Sequence, residues 1–211
     1  MPTLYDSHAP PLHPYVRASS AYSAVVQLYA RSLQLPTNLS LASRFADRLR
    51  LCRFGCPTLE DDHHLFVHCP SFDHLRDEYS HTLVSATQSI LKDAALSTPV
   101  HSHLDRVASS LFRDDAIWPL ASSRFYLGLL PPLLPLSTLH DPLQGESPRV
   151  FTRLAHTCHT YSIRLAARIW GLVSRQRSFP TANRFGDRRL STASLLQSSN
   201  LSLPPHLHHL L

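Results

Sequence analysis

One short segment restricts what this chain can fold into: Cys52, Cys56, His64 and Cys69 stand in a C-x3-C-x7-H-x4-C array. Three thiols and one imidazole are the donor set of a closed, tetrahedral structural zinc site, which leaves no position for water or substrate. The array reads as a zinc knuckle whose ion holds a fold and does no chemistry. Cys52 and Cys56 fit a tight turn around one metal, and Gly55 gives that turn the backbone freedom it needs. The second half suits a short helix. There His64 and His68, four apart, share a face, and Cys69 is reached as the turn ends before Pro70. His64 is preferred as the fourth ligand. His63 stays as an alternative, giving C-x6-H-x5-C, and so does a plain reading of reduced thiols near a few of the fifteen histidines. A disulfide framework fits less well. The chain has four cysteines in 211 residues, three of them in this segment, and Met1 to Pro14 lacks the apolar core of a secretory signal. The expected location is nuclear or cytoplasmic, not secreted.

Around the array the apolar spacing is helical, and no clear strand appears, so the expected class is mainly α: a small helical bundle with a CCHC zinc knuckle and disordered termini. Residues 1–16 are rich in Pro and His and are expected to be disordered. A bundle over 17–129 would contain helices over 17–35 and 38–50, broken at Pro36 with Thr37 or Asn38 as cap, and the knuckle over 52–69. Ser71 is expected to cap a helix reaching about Ala95, with Phe72, Leu75, Tyr79, Leu83, Ala86 and Ile90 on its apolar face; another runs from about Pro99 to Phe112. Residues 130–149 carry five prolines and read as a linker to a basic amphipathic helix over 150–177. The tail 178–211 is expected to be disordered. No apolar run is long enough for a membrane span.

Net charge is +5, and nineteen of the twenty basic residues are arginine, Lys92 being the exception. Arginine suits phosphate recognition, although coding bias produces the same preference. Clustering separates the two causes. Eight arginines fall between Arg153 and Arg189 against the single acid Asp187. At roughly 100° per residue, Arg153, Arg164, Arg168 and Arg175 lie within about 60° on a helix, beside a stripe of Leu154, Cys158, Tyr161, Leu165, Ile169 and Leu172. The ridge is either a strip that follows a phosphate backbone, with Tyr161, His159 or Trp170 available to stack on bases, or an ordinary solvated face. Arg48, Arg50 and Arg53, with Arg44, are the other candidates for nucleic-acid contact. The acidic run Glu60-Asp61-Asp62 belongs over the first turn of the His64 helix, where it complements the helix dipole.

Longer motifs around the array carry a resemblance. Leu51-Cys52-Arg53-Phe54-Gly55-Cys56, then Glu60 to Pro70 and Phe72 to Arg76, resemble the zinc-binding segment that follows the polymerase domain of non-LTR (LINE-type) retrotransposon reverse transcriptases, fungal elements most closely. Leu35-Pro36-Thr37-Asn38, Phe125-Tyr126-Leu127-Gly128 with Pro131-Pro132, and Ile163 to Gly171 are similar in texture to the same tail, so the likeness covers roughly residues 25 to 175. The x3 gap between Cys52 and Cys56 is wider than in many relatives. The resemblance implies a structural Zn2+ on Cys52, Cys56, His64 and Cys69 and a segment that engages RNA or DNA.

The catalytic polymerase is not part of the resemblance. Its palm and fingers alone would fill most of this length. Phe112-Arg113-Asp114-Asp115 has the form of a polymerase metal box, yet it follows a helical pattern and comes after the knuckle, the reverse of the family order. It reads as a chance match. With five glycines and no Gly-rich loop, no nucleotide cradle is expected, and no small-molecule substrate or membrane partner either. The chain is therefore read as a non-enzymatic zinc module that binds nucleic acid. The alternatives are a zinc-stabilised structural or protein-interaction module, and a non-functional remnant of an element.

Overall fold

A computed structural model describes residues 18, 20–45, 49–92, 94, 96–133 and 148–178. Helix α1, Ala21–Arg31, begins where the Ser20 hydroxyl accepts from the Ser23 N–H, and it buries Val26, Gln27 and Ala30. Helix α2, Asn38–Ala42, is capped by Thr37, whose Oγ1 accepts from the Ser40 N–H at 3.2 Å. It stops far short of residue 50. Ser40 Oγ donates back to the Leu35 carbonyl and Ser43 Oγ to that of Ser40, and beyond Ala42 both Phe45 and Leu49 are exposed. A short segment without a buried face gains too little from packing to stay helical.

Among the described residues the only strand-like pairing is one antiparallel bridge, Leu51 to Leu59, which closes the base of the knuckle loop. A π-helical turn, His64–His68, and a 3-10 turn, Pro70–Phe72, lead into helix α3, Asp73–Leu91. Ser71 therefore lies in the 3-10 turn and does not cap α3, because Pro70 opens the tighter turn at its first position. Phe72, Leu75 and Leu83 of the expected stripe are buried and Tyr79, Ala86 and Ile90 half-buried, while Leu91, outside that stripe, is buried as well. Helix α4, Thr98–Ser110, buries Val100, Leu104, Val107 and Ala108.

Helix α5, Pro148–Ser178, packs against both α1 and α3, while α4 packs on α3. The sequence suggested a basic helix set apart by a linker; here Cys158, Leu165, Ala166, Ile169, Trp170 and Val173 join one core with Val26, Phe66, Phe72, Leu83 and Phe125. A smaller cluster of Leu91, Val100, Leu104 and Leu154 joins α3, α4 and the start of α5. Burying each large side chain contributes roughly 1.5–3 kcal/mol, and aromatic pairs add geometry to that term. Phe66 lies parallel to Tyr126 at 4.9 Å, and Phe125 meets Phe112 edge-on at 5.0 Å. Gly128 ends the 3-10 turn Phe125–Leu127 at φ +72°, against the Gln27 side chain.

The chain is thus a mainly helical small bundle. The segments expected to be disordered, residues 1–16 and all of 178–211 except Ser178, lie outside the described residues, as does most of the proposed linker. No helix among the described residues is long and apolar enough to cross a membrane.

Candidate metal centre

The knuckle loop turns on itself in a few steps. Cys52 N–H donates to the Thr58 carbonyl, Gly55 N–H to that of Cys52, and Gly55 takes φ +87°, a conformation glycine adopts without strain. The chain then enters the π turn. Its first N–H groups need an acceptor, and Asp61 Oδ1 receives the His64 N–H at 2.6 Å. The Cys69 N–H donates to the His64 carbonyl, also at 2.6 Å, an i to i+5 bond. This winding sets Cys69 above His64, so the five-residue spacing, rather than the four-residue one to His68, brings side chains together. His68 is accordingly turned outward and His64 is buried.

Cys52, Cys56, His64 and Cys69 form one cluster, each with a ligand atom within 4.8 Å of the others. The sulfur of Cys69 lies 3.9 Å from that of Cys52 and 3.8 Å from that of Cys56. These separations are far too long for a disulfide, whose S–S length is about 2.05 Å. They match the edge of a tetrahedron: metal–sulfur bonds of about 2.3 Å give sulfur–sulfur distances near 3.8 Å. His64 Nε2 is buried without a hydrogen-bond partner among the described residues. A buried imidazole nitrogen left in that state fits a site meant for a cation.

Electrostatics lead to the same conclusion. Donation from Cys52 holds the Cys69 thiol below its ordinary range, with help from His64 and the Ser71 N–H, and the Cys52 thiol is raised in return. Burial raises Cys56. Three sulfurs this close cannot all ionise without a positive ion among them, so the cluster could hold a metal ion and is frustrated as a set of thiols. His63, the alternative ligand, points elsewhere: its Nε2 lies 3.2 Å from Asp114 Oδ2.

Two charged side chains brace the centre, and neither role was read from the sequence. Glu60 is fully buried, not on the first turn of the His64 helix; Asp61 takes that place. The Glu60 carboxylate accepts from the backbone N–H groups of Asn38 and Arg53, at 2.7 and 2.8 Å, and forms a salt bridge with the Arg53 guanidinium. Asn38 Nδ2 in turn donates to the Leu51 carbonyl at 2.8 Å, tying α2 to the loop. Arg76, buried on α3, donates to the carbonyls of Phe66 and Cys69 at 3.1 and 2.6 Å, the second of which also accepts the Phe72 N–H at 3.1 Å. Arg76 falls inside the segment that carries the family resemblance, which was the available signal. Glu60 falls inside that segment too, but the run Glu60-Asp61-Asp62 reads as a helix-dipole partner and not as a buried acid.

The arginine candidates are placed unequally. Arg48 lies outside the described residues, and Arg50 is half-buried. Arg53 is engaged by Glu60 and reaches the Val173 carbonyl at 3.5 Å, so it fastens the knuckle to α5. Arg153, Arg164, Arg168 and Arg175 are exposed, and among the described residues none of the four forms an ion pair within 4 Å. Arg175 borders a shallow depression with Phe54, Phe72 and Leu172, which brings the ridge to the edge of the knuckle. Of the suggested stacking residues, Trp170 is buried, Tyr161 meets Tyr79 edge-on at 6.3 Å, and His159 is half-buried.

Asp114 and Asp115 sit in the turn after α4. Asp114 Oδ1 accepts from the Ser123 N–H at 2.7 Å, and Asp115 Oδ1 accepts from the Ile117 N–H at 3.0 Å and from Arg106 at 2.8 Å. Both acids shape the turn, and no β-hairpin presents them. Comparison of the chain with known protein families, with curated proteins and with solved structures finds no match.

Proposed function

We propose that this chain is a zinc-stapled helical module that binds nucleic acid through phosphate contacts and carries no catalytic centre of its own. The observation that carries the proposal is α5, which has no acidic residue and whose Arg153, Arg164, Arg168 and Arg175 stand exposed along one face. The ridge spans roughly 33 Å at 1.5 Å per residue, enough to meet several phosphates. Zinc is assigned to the centre because three thiolates and an imidazole at tetrahedral separations suit that ion and leave it no open position. The resemblance to the tail of LINE-type reverse transcriptases supports the same reading. Arg50 is half-buried, and Arg53 is left out because Glu60 holds it. With Trp170 in the core, affinity comes from charge and carries little sequence information.

Fluorescence anisotropy with a single-stranded RNA and a duplex DNA, titrated across a salt series, tests this. Binding that weakens steeply with salt is expected, and Arg164→Ala with Arg168→Ala should lower the salt slope by about 2. An unchanged affinity in the double variant removes the ridge from the function.

A second reading rests on a different surface. Tyr22, Val25, Leu28 and Tyr29 on α1, and Leu33 just beyond it, are exposed apolar side chains. Such a face supports association with a protein partner. That association would tolerate salt, which separates it from the first reading.

A further inference from the structure

The π turn that aligns His64 with Cys69 aligns a second pair at the same spacing: His63 and His68, also five residues apart. The first pair faces inward to the sulfurs, whereas the second faces out. The two outer rings meet edge-on with centroids 4.8 Å apart, and both Nε2 atoms converge on one oxygen, Asp114 Oδ2, at 3.2 Å from His63 and 3.1 Å from His68. Asp114 comes from the turn after α4, and its other oxygen is held by the Ser123 N–H. The carboxylate is thereby oriented before any ion arrives, as supporting hydrogen bonds do for metal ligands generally.

We propose that His63, His68 and Asp114 form a second metal site, open to solvent, that takes a borderline divalent cation such as zinc, cobalt or nickel. All three donor atoms lie within 4.8 Å of one another, and metal–nitrogen and metal–oxygen bonds of about 2.0–2.2 Å need only a small inward movement. Two imidazoles select against magnesium and calcium, which favour oxygen donors. This site differs from the cysteine centre in kind. Its side chains at His68 and Asp114 are 51% and 32% exposed, so an ion can enter, exchange and keep solvent or an added ligand in its remaining positions. Three protein ligands with free positions describe an open coordination site, where the buried Cys3His set describes a closed one. The groove beside His63 also carries Asp61, Asp62 and Arg124, a mixed polar margin for whatever the ion recruits.

The test uses the full chain with His206, His208 and His209 each changed to alanine, which removes the metal affinity of the C-terminal histidines. After dialysis against excess zinc, about two ions per chain are expected, falling to about one in His68→Ala and in Asp114→Asn. Cobalt substitution identifies which ion is lost: sulfur-to-cobalt charge-transfer bands report the cysteine centre and should persist in both variants. Loss of those bands together with the second ion would mean that the variants had disturbed the knuckle, and His68→Gln, a substitution at an exposed position, then decides on the count alone. The inference is overturned if the parent chain holds no ion beyond the cysteine-bound one, or if the second ion survives all three substitutions. A missing cysteine-bound ion with a retained second one would refute the knuckle and leave this site standing.

Discussion

The Cys69 N–H donates to the His64 carbonyl at 2.6 Å, so two metal-ligand candidates are joined through the backbone as well as through the site they face. The hydrogen bond and the metal centre depend on the same π winding. A π turn is rarer and less stable than an α turn, and such turns recur where a function compensates for them.

Removing the ion should therefore unwind this segment. Cys52→Ser, Cys56→Ser, His64→Ala and Cys69→Ser are each expected to abolish binding at the cysteine centre, and a chelator should have the same effect on the parent chain. Hydrogen exchange read over residues 50–70 checks it: protection should fall there, while α4 changes less. Because thiols must lose protons to bind, acid competes with the metal, and affinity should decrease as pH falls. Unchanged protection in all four variants would refute a structural ion.

Glu60 should matter as much as a ligand. Glu60→Gln keeps the volume but removes the charge facing Arg53 and one of the acceptors for the Asn38 and Arg53 N–H groups. Breaking a buried pair in this way costs about 3 kcal/mol or more. Urea denaturation of the metal-loaded protein measures it, and Arg53→Met, which removes the other partner, gives the paired comparison.

Gly128→Ala combines two penalties. The backbone there has φ +72°, and an added Cβ would lie 2.7 Å from Gln27 Nε2. A loss of roughly 1–3 kcal/mol is expected from the left-handed conformation and the displaced side chain. A thermal shift of several degrees in the variant, with metal content unchanged, is the outcome to look for.

His159 gives the fold a dependence on pH. Burial lowers its pKa to about 4, with the nearby His156 and Arg31 charges acting in the same direction. Unfolding restores the ordinary value of about 6.5, so between these two pH values the unfolded chain binds more protons than the folded one. The contribution is present above about pH 6.5 and is lost as pH falls toward 4, by roughly 1–2 kcal/mol between pH 7 and pH 5. Denaturation at both pH values in the parent and in His159→Phe decides it: the variant should show the shallower dependence.

Features set by local chemistry were readable from the sequence. Thr37 caps α2, Gly55 takes a positive φ, and the stripe from Leu154 through Ile169 is the buried face of α5. The four clustered ligand candidates were likewise apparent, because donor type and order survive any detail of winding. Features that depend on distant partners were not. Beyond the end of α2, Phe45 and Leu49 stand exposed, and no described residue packs over them to extend the helix. The burial of Glu60 requires Arg53 and Asn38 together, and the outward turn of His68 follows from a π turn that 3.6-residue periodicity cannot anticipate. Asp114, dismissed as a chance motif, turned out to be placed by Ser123 and two histidines from the knuckle.

The link from Arg53 to the Val173 carbonyl joins positions 120 residues apart, and α5 lies on both α1 and α3. Contacts of that sequence separation form late, since the loop they close must be ordered before they stabilise anything. During synthesis all four ligand candidates of the knuckle are present as soon as Cys69 has emerged, whereas α1 must wait for the Phe125–Leu127 turn and α5 before its inner face is covered. Until then Val26 and Ala30 join Tyr22, Val25 and Tyr29 in the open, and the nascent chain passes through an interval in which a half-formed bundle is vulnerable to aggregation.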